Sequence, residues 1–203
     1  MFGPRLGLAE RYAALLADRG TVRGLIGPRE APRLWQRHLL NCAALAEVIP
    51  EEATLADVGS GAGLPGLVLA LCRPDLSVTL VEPLLRRTRF LEEVVVELGL
   101  PQVEVRRARA EQLHGRERFG VVTARAVAPL DRLARWCLPL VEPGGALLAM
   151  KGSSAEAELE RAGSVLDRLG AGPRSVLRLG HDVAESPVTV VRIEVPPAAP
   201  GRR

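Results

Sequence analysis

The sequence predicts an α/β fold: a mostly parallel sheet packed between helices, with a helical N-terminal extension and an antiparallel C-terminal strand. Three observations carry this reading. From Leu55 onward, short apolar runs of strand length alternate with amphipathic stretches of helical length, the pattern of a parallel sheet with helices on both faces. Before that point apolar residues recur only at helical spacing. After Gly170 two strand-like runs follow with no room for a crossover helix between them, so they pair antiparallel at one sheet edge.

The elements follow in order. Helices are expected from Leu6 to Arg19 and from about Arg29 to Val48, where Leu34, Trp35, Leu39, Cys42, Ala43 and Ala46 mark one face, and Gly24 to Pro28 separates the two. Strands are expected at Leu55–Val58, Val78–Val81, Val103–Arg106, Phe119–Thr123 and Ala146–Met150. Between them helices are expected at about Leu64–Cys72, Leu84–Leu98, Leu130–Leu140 and Ala155–Leu169. In the second of these Leu84, Thr88, Leu91, Val95 and Leu98 form the apolar stripe, and Gly99 supplies the left-handed position that ends the helix. The closing strands are Ser175–Leu179 and Val188–Val195. The 203 residues are read as a single domain: helices over 1–49, an α/β core over 50–195, and a Pro- and Ala-rich tail over 196–203 expected to be disordered.

Composition bounds the function. Hydrophobic residues make up 47% and charged residues 25%, near the averages for globular proteins, which favours neither disorder nor a membrane class. No apolar run approaches the ~18 residues of a span, and Met1-Phe2-Gly3-Pro4-Arg5 does not begin a secretory signal. The expectation is a cytoplasmic chain with no membrane partner and no obligate protein partner. Cys42, Cys72 and Cys137 stand far apart without His or Cys at metal spacing, so they are read as small apolar residues and no metal is expected. The net charge of +3 permits an RNA partner without requiring one. Of 27 basic residues only Lys151 is lysine, and its compact ammonium is not equivalent to a guanidinium.

The sharpest local signal is Asp57-Val58-Gly59-Ser60-Gly61-Ala62-Gly63-Leu64-Pro65-Gly66, between a strand and a helix. Such a loop turns sharply and lets a ligand approach the backbone near a helix N-terminus. Leu64 occupies the place where a dinucleotide fingerprint needs its third glycine, which weakens a nicotinamide reading. Glu82 closes the second strand 23 positions after Gly59, where a carboxylate accepts the ribose hydroxyls of an adenosine. The reversed C-terminal strands separate this sheet from dehydrogenase sheets, which continue parallel. The expected cofactor is therefore S-adenosylmethionine, on a Rossmann-like class I methyltransferase fold. Its further contacts are expected where the third and fourth strands end, at Ala110 and Glu111 and at Arg125.

The acceptor atom is narrowed by what is missing. The fourth strand ends Thr123-Ala124-Arg125-Ala126-Val127, without the Asn/Asp-Pro-Pro-aromatic loop usual for exocyclic amines. Attack on a pyrimidine carbon needs a nucleophilic cysteine, and Cys72 and Cys137 fall within or at the end of helices. Guanine N7 carries its own lone pair and needs no general base, so alignment alone supplies much of the rate. In RNA such a base must be unpaired or splayed out.

Several motifs together resemble the glucose-inhibited division protein B (RsmG) family of ribosomal RNA methyltransferases: Arg37-His38-Leu39-Leu40-Asn41, the Asp57–Gly66 loop with its Leu-Pro-Gly ending, Arg86-Arg87-Thr88-Arg89-Phe90-Leu91, Ala124-Arg125-Ala126, and Lys151-Gly152. The resemblance runs from about Leu34 to Val195. It implies methylation of guanine N7 in the 530 loop of 16S ribosomal RNA, with that RNA or the small ribosomal subunit as partner. It also implies cofactor contacts at Gly59, Leu64, Ala110, Glu111 and Arg125, with Glu82 in the acidic ribose place and Gly61 and Gly63 in the same loop. Many members have Asp and Ser where this chain has Asn41 and Cys42, so no acid role is expected at position 41. Arg37, His38, Arg125 and Lys151 are the expected acceptor-side residues, lining one mouth and holding RNA phosphate or the guanine face. Arg86, Arg87 and Arg89 are read as a solvated helix face. Two other classes remain: a methyltransferase for a small molecule or protein, and a non-catalytic nucleotide-binding module.

Overall fold

The computed structural model describes residues 1–27, 29–182 and 187–198. Seven strands form one sheet in the order β3-β2-β1-β4-β5-β7-β6. These are β1 (Thr54–Val58), β2 (Ser77–Val81), β3 (Val103–Arg106), β4 (Phe119–Arg125), β5 (Val141–Lys151), β6 (Arg174–Leu179) and β7 (Val188–Glu194). The pairs β1–β2, β2–β3, β1–β4 and β4–β5 are parallel. β7 inserts antiparallel between β5 and β6, so the strand that arrives last in the chain is not the edge. The inner strands read almost wholly apolar because helices cover both faces.

One face carries α1 (Leu6–Leu15), a short α2 (Asn41–Ala43), α3 (Gly66–Cys72) and α4 (Leu85–Leu98); the other carries α5 (Leu130–Cys137) and α6 (Ala155–Arg168). The sequence places every one of these elements, with local differences of physical origin. The second N-terminal helix is not a uniform α-helix. It runs through a 3₁₀ turn (Ala31–Arg33), π-helical turns (Leu34–Leu40), α2 and a 3₁₀ turn (Ala44–Val48). α5 stops at Cys137 because Pro139 lacks the N–H that the next turn needs, and a 3₁₀ turn (Leu138–Leu140) completes it. α3 begins at Gly66 rather than Leu64, since the preceding residues close their own turn through Gly63 N–H to the Ser60 carbonyl.

α4 ends as expected, with Gly99 at φ 63° and ψ 55°. Its buried stripe is Thr88, Phe90, Leu91, Val94 and Leu98. Leu84, expected in that stripe, is 52% exposed, because it precedes the first helical turn and stands at the mouth of the pocket described below. Cys137 is buried as a small apolar residue, Cys72 is half-buried, and Cys42, read as apolar from the sequence, is buried but accepts a hydrogen bond from Arg125. Residues 196–198 carry no helix or strand, and 199–203 of the expected tail lie outside the described residues. Among the described residues no helix is long and apolar enough to cross a membrane.

Candidate functional site

The chain runs from β1 outward to β3, then crosses to β4 on the other side of β1. At such a reversal the loops leaving the carboxyl ends of neighbouring strands diverge and leave a crevice, where ligands of open α/β sheets bind. A pocket of about 640 Å³ opens there. Its wall comes from the ends of four strands: Val58 to Ala62 after β1, Glu82 to Leu84 after β2, Arg109 and Glu111 after β3, and Arg125 to Val127 at β4. His38, Leu25 and Ile26 close it from the N-terminal extension, and Trp136 from α5.

The glycine loop is held from both sides. Tyr12 on α1, fully buried, donates its hydroxyl to the Ala62 carbonyl at 2.7 Å. Burial holds the Tyr12 phenol well above its ordinary range, so it remains a donor. A Cβ on Gly59 would approach Val127 Cγ2 to 2.8 Å, so glycine here lets the loop after β4 close against the loop after β1. Gly61 N–H donates to Glu82 Oε2 at 3.0 Å and Leu84 N–H to Glu82 Oε1 at 3.0 Å. Glu82 is only 1% exposed, yet each oxygen accepts a single N–H. A carboxylate offers about four acceptor positions, so both oxygens keep capacity toward the pocket. Arg87, 3.5 Å from Glu82 Oε2, pairs with the buried charge.

Asp57 lies beneath the loop, fully buried, with Oδ2 accepting Gly66 N–H at 3.0 Å and Oδ1 without a partner among the described residues. Burial pushes its carboxyl up to about 7. The folded protein therefore keeps a proton on Asp57 that the unfolded chain, titrating near about 4, gives up. Between those values stability falls as pH rises, by at most about 4 kcal/mol over the whole window. Asp57→Asn removes that decline. Urea midpoints at pH 4.5 and 7.5 check it: the difference between the two pH values shrinks in the variant, and an unchanged difference refutes the assignment.

Arg125, the last residue of β4, is half-buried and directed at the N-terminal extension. It donates Nη1–H to Cys42 Sγ at 3.2 Å and Nη2–H to His38 Nδ1 at short range. His38 Nε2 lies 2.9 Å from Glu30 Oε2. A guanidinium only donates, so Nδ1 is the acceptor and Nε2 carries the proton that goes to Glu30. Burial, reinforced by the Arg125 charge, lowers the His38 pKa and keeps the ring neutral. Its hydrogen bond from His38 holds Glu30 below the ordinary carboxylate range. Burial pushes the Cys42 thiol up to about 11, which leaves it a neutral acceptor.

The expected site residues separate into two groups. His38, Gly59, Gly61, Leu64, Glu82, Glu111 and Arg125 all reach the pocket wall. Gly63 packs against Leu67 and Tyr12 instead, and Ala110 is buried outside the wall. Arg37 is exposed and pairs with Glu30 at 3.2 Å, one helical step from the face that carries His38 inward. Lys151 does not line the mouth. Its Nζ donates to the Ala128 carbonyl and to Glu158 Oε2, both at 2.8 Å. Glu158 Oε2 also accepts Leu130 N–H at 3.1 Å. Although burial raises the Glu158 pKa, the bonds from Lys151 and Ser154 hold it lowered and charged. Lys151 thus fixes the loop after β4, in which Ala126 adopts a positive φ of 54° rare for a residue with a side chain.

Sequence reasoning missed Tyr12, Glu30, Arg109 and Trp136, and it assigned Arg87 to a solvated face. Only Arg87 gave a signal, in lying five residues after Glu82 at the start of a helix. Among the described residues no group of three or more His, Cys, Asp or Glu side chains is arranged to hold a metal.

The family model described as GidB, rRNA small subunit methyltransferase G, matches residues 5–184. The protein named ribosomal RNA small subunit methyltransferase G of Nocardioides sp. is 66% identical over 198 residues, covering 98% of this chain and 78% of that one. Its namesake in Streptomyces avermitilis is 61% identical over 196 residues, covering 96% and 82%. Among solved structures, an S-adenosyl-L-methionine-dependent methyltransferase fold from Methanococcus maripaludis superposes with a TM-score of 0.62 at 12% identity, covering 86% of this chain and 92% of that one. A ribosomal protein L11 methylase from Lactobacillus delbrueckii superposes with a TM-score of 0.58 at 14% identity, covering 77% of each chain.

Proposed function

The chain belongs to the GidB family, rRNA small subunit methyltransferase G, and from that premise we propose that it methylates guanine N7 in the 530 loop of 16S ribosomal RNA. S-adenosylmethionine is the methyl donor, and when bound it supplies an electrophilic methyl group. The pocket suits it: the buried Glu82 carboxylate with spare acceptor capacity meets a ribose diol, and the glycine loop offers backbone at close approach. Gly59, Gly61, Leu64, Glu82, Glu111 and Arg125 form the cofactor wall. Gly63 and Ala110 support it from behind, and Asp57 braces the loop through Gly66.

The observation that carries the choice of acceptor is the state of His38. Both ring nitrogens are committed, one accepting from Arg125 and one donating to Glu30, so the pocket's histidine has no free site to take a proton from substrate. An acceptor that brings its own lone pair, as guanine N7 does, needs none. What the chain supplies is alignment and charge. Arg125 faces the acceptor with a fixed guanidinium, Arg109 adds a second positive charge at the wall, and Arg37 lies outside as a phosphate contact for the RNA. Lys151 contributes by holding the loop after β4 rather than by touching RNA. On this reading the chain acts in the cytoplasm on the small ribosomal subunit.

The test is transfer of labelled methyl groups from S-adenosylmethionine to small subunits from cells lacking this gene, followed by mapping of the modified nucleotide. Label at guanine N7 in the 530 loop is the expected result. Label only on a protein or small molecule transfers the activity to the first alternative class. No transfer to any acceptor leaves a nucleotide-binding module.

A further inference from the structure

We infer that His38 is a positioning residue: its Nδ1 fixes the Arg125 guanidinium in the pocket, and Glu30 fixes the ring that does so. The inference rests on the reading of Arg125 as the residue facing the acceptor. An arginine side chain at a strand end has several rotatable bonds, and holding it in one orientation needs at least two acceptors. The fold supplies two from the same side, Cys42 Sγ and His38 Nδ1. A thiol is a weak acceptor, so the imidazole is the stronger of the two.

The ring can play this part only as the tautomer with Nδ1 bare. Glu30 enforces that tautomer by accepting from Nε2 at 2.9 Å. Glu30 is held in turn by Arg37, 3.2 Å from its other oxygen. The charged groups facing His38 are therefore Glu30 from the turn before the π-helical stretch, Arg125 from β4, and Arg37 on its own element. Together they form a chain, Arg37–Glu30–His38–Arg125, that begins at the surface and ends in the pocket. A proton added to Nδ1 turns the acceptor into a donor opposite a cation, and the last link breaks. Methyl transfer should therefore fall on the acid side, with a midpoint below the ordinary histidine value of about 6.5, since burial and Arg125 lower this group.

Two substitutions separate the two ring nitrogens. In His38→Asn the amide oxygen takes the place of Nδ1, and in His38→Gln the amide takes the place of Nε2. His38→Asn is expected to keep at least about a third of the wild-type kcat and to lose the acid limb of the pH profile. His38→Gln keeps a partner for Glu30, leaves Arg125 unheld, and is expected to lower kcat by about tenfold or more. Equal impairment of both variants, or wild-type rates in both, overturns the proposal.

A second readout needs no activity. In the unliganded protein, nitrogen NMR is expected to show a bare Nδ1 on His38 and slowed Arg125 Nη–H exchange that persists in His38→Asn and disappears in His38→Gln. If these NMR signatures appear while no acceptor is methylated, the positioning stands and the methyl-transfer reading fails. If they are missing, the positioning itself is refuted.

Discussion

Arg125→Ala lowers methyl transfer to small ribosomal subunits by about a hundredfold or more at saturating cofactor, the size of loss that follows when the acceptor is no longer aligned with the methyl group. The chain still folds. Arg125 is half-buried, and its removal leaves a weak thiol acceptor and one imidazole nitrogen unpaired, a cost of about 1–2 kcal/mol. In a chain of this length that corresponds to a fall in melting temperature of roughly 2–8 °C. Arg125→Lys recovers little, because one ammonium on a flexible stem cannot reach Cys42 and His38 in the fixed fork of a guanidinium. Rates measured at saturating S-adenosylmethionine, beside a melting curve, decide the matter. A wild-type rate in Arg125→Ala removes this residue from the reaction and the His38 chain with it.

Gly63→Ala is expected to destabilise the fold strongly. Gly63 sits at φ 96°, and a Cβ there would lie 2.3 Å from Leu67 Cδ1, 2.8 Å from Leu67 Cγ and 2.9 Å from the Tyr12 hydroxyl oxygen. Both neighbours are fully buried, so neither side chain has room to turn away. Left-handed strain of about 1–2 kcal/mol adds to overpacking of about 1–3 kcal/mol. The sum, about 2–5 kcal/mol, lowers the melting temperature by roughly 4–20 °C. Because Tyr12 also holds the Ala62 carbonyl, cofactor affinity falls with it. Gly115→Ala is the control: its φ is 72°, but nothing lies within 4 Å of the added carbon, so only the strain remains. Equal melting temperatures in the two variants would contradict the packing argument.

What depends on short-range order is legible in the amino-acid sequence. Strand and helix periods, the left-handed stop at Gly99, the glycine loop and the acidic strand end at Glu82 are all written within a few residues of each other, because burial of one face fixes which positions must be apolar. Where a local rule met a local exception, the boundary moved by a few residues, as at Pro139. Convergence of distant side chains was decided only by the tertiary structure. Arg37 and His38 are neighbours in sequence, yet successive positions of a helical turn point in different directions, and packing against β4 selected His38 for the pocket. Lys151 was conspicuous as the only lysine, but the loop after β4 folds over it and turns it from the mouth to the Ala128 carbonyl. Tyr12 and Trp136 carried no local mark at all. They reach the pocket region because α1 and α5 lie on opposite faces of the sheet beside the carboxyl ends of β1 and β4. A crossover connection sets such meetings over tens of residues, beyond the range of any sequence period.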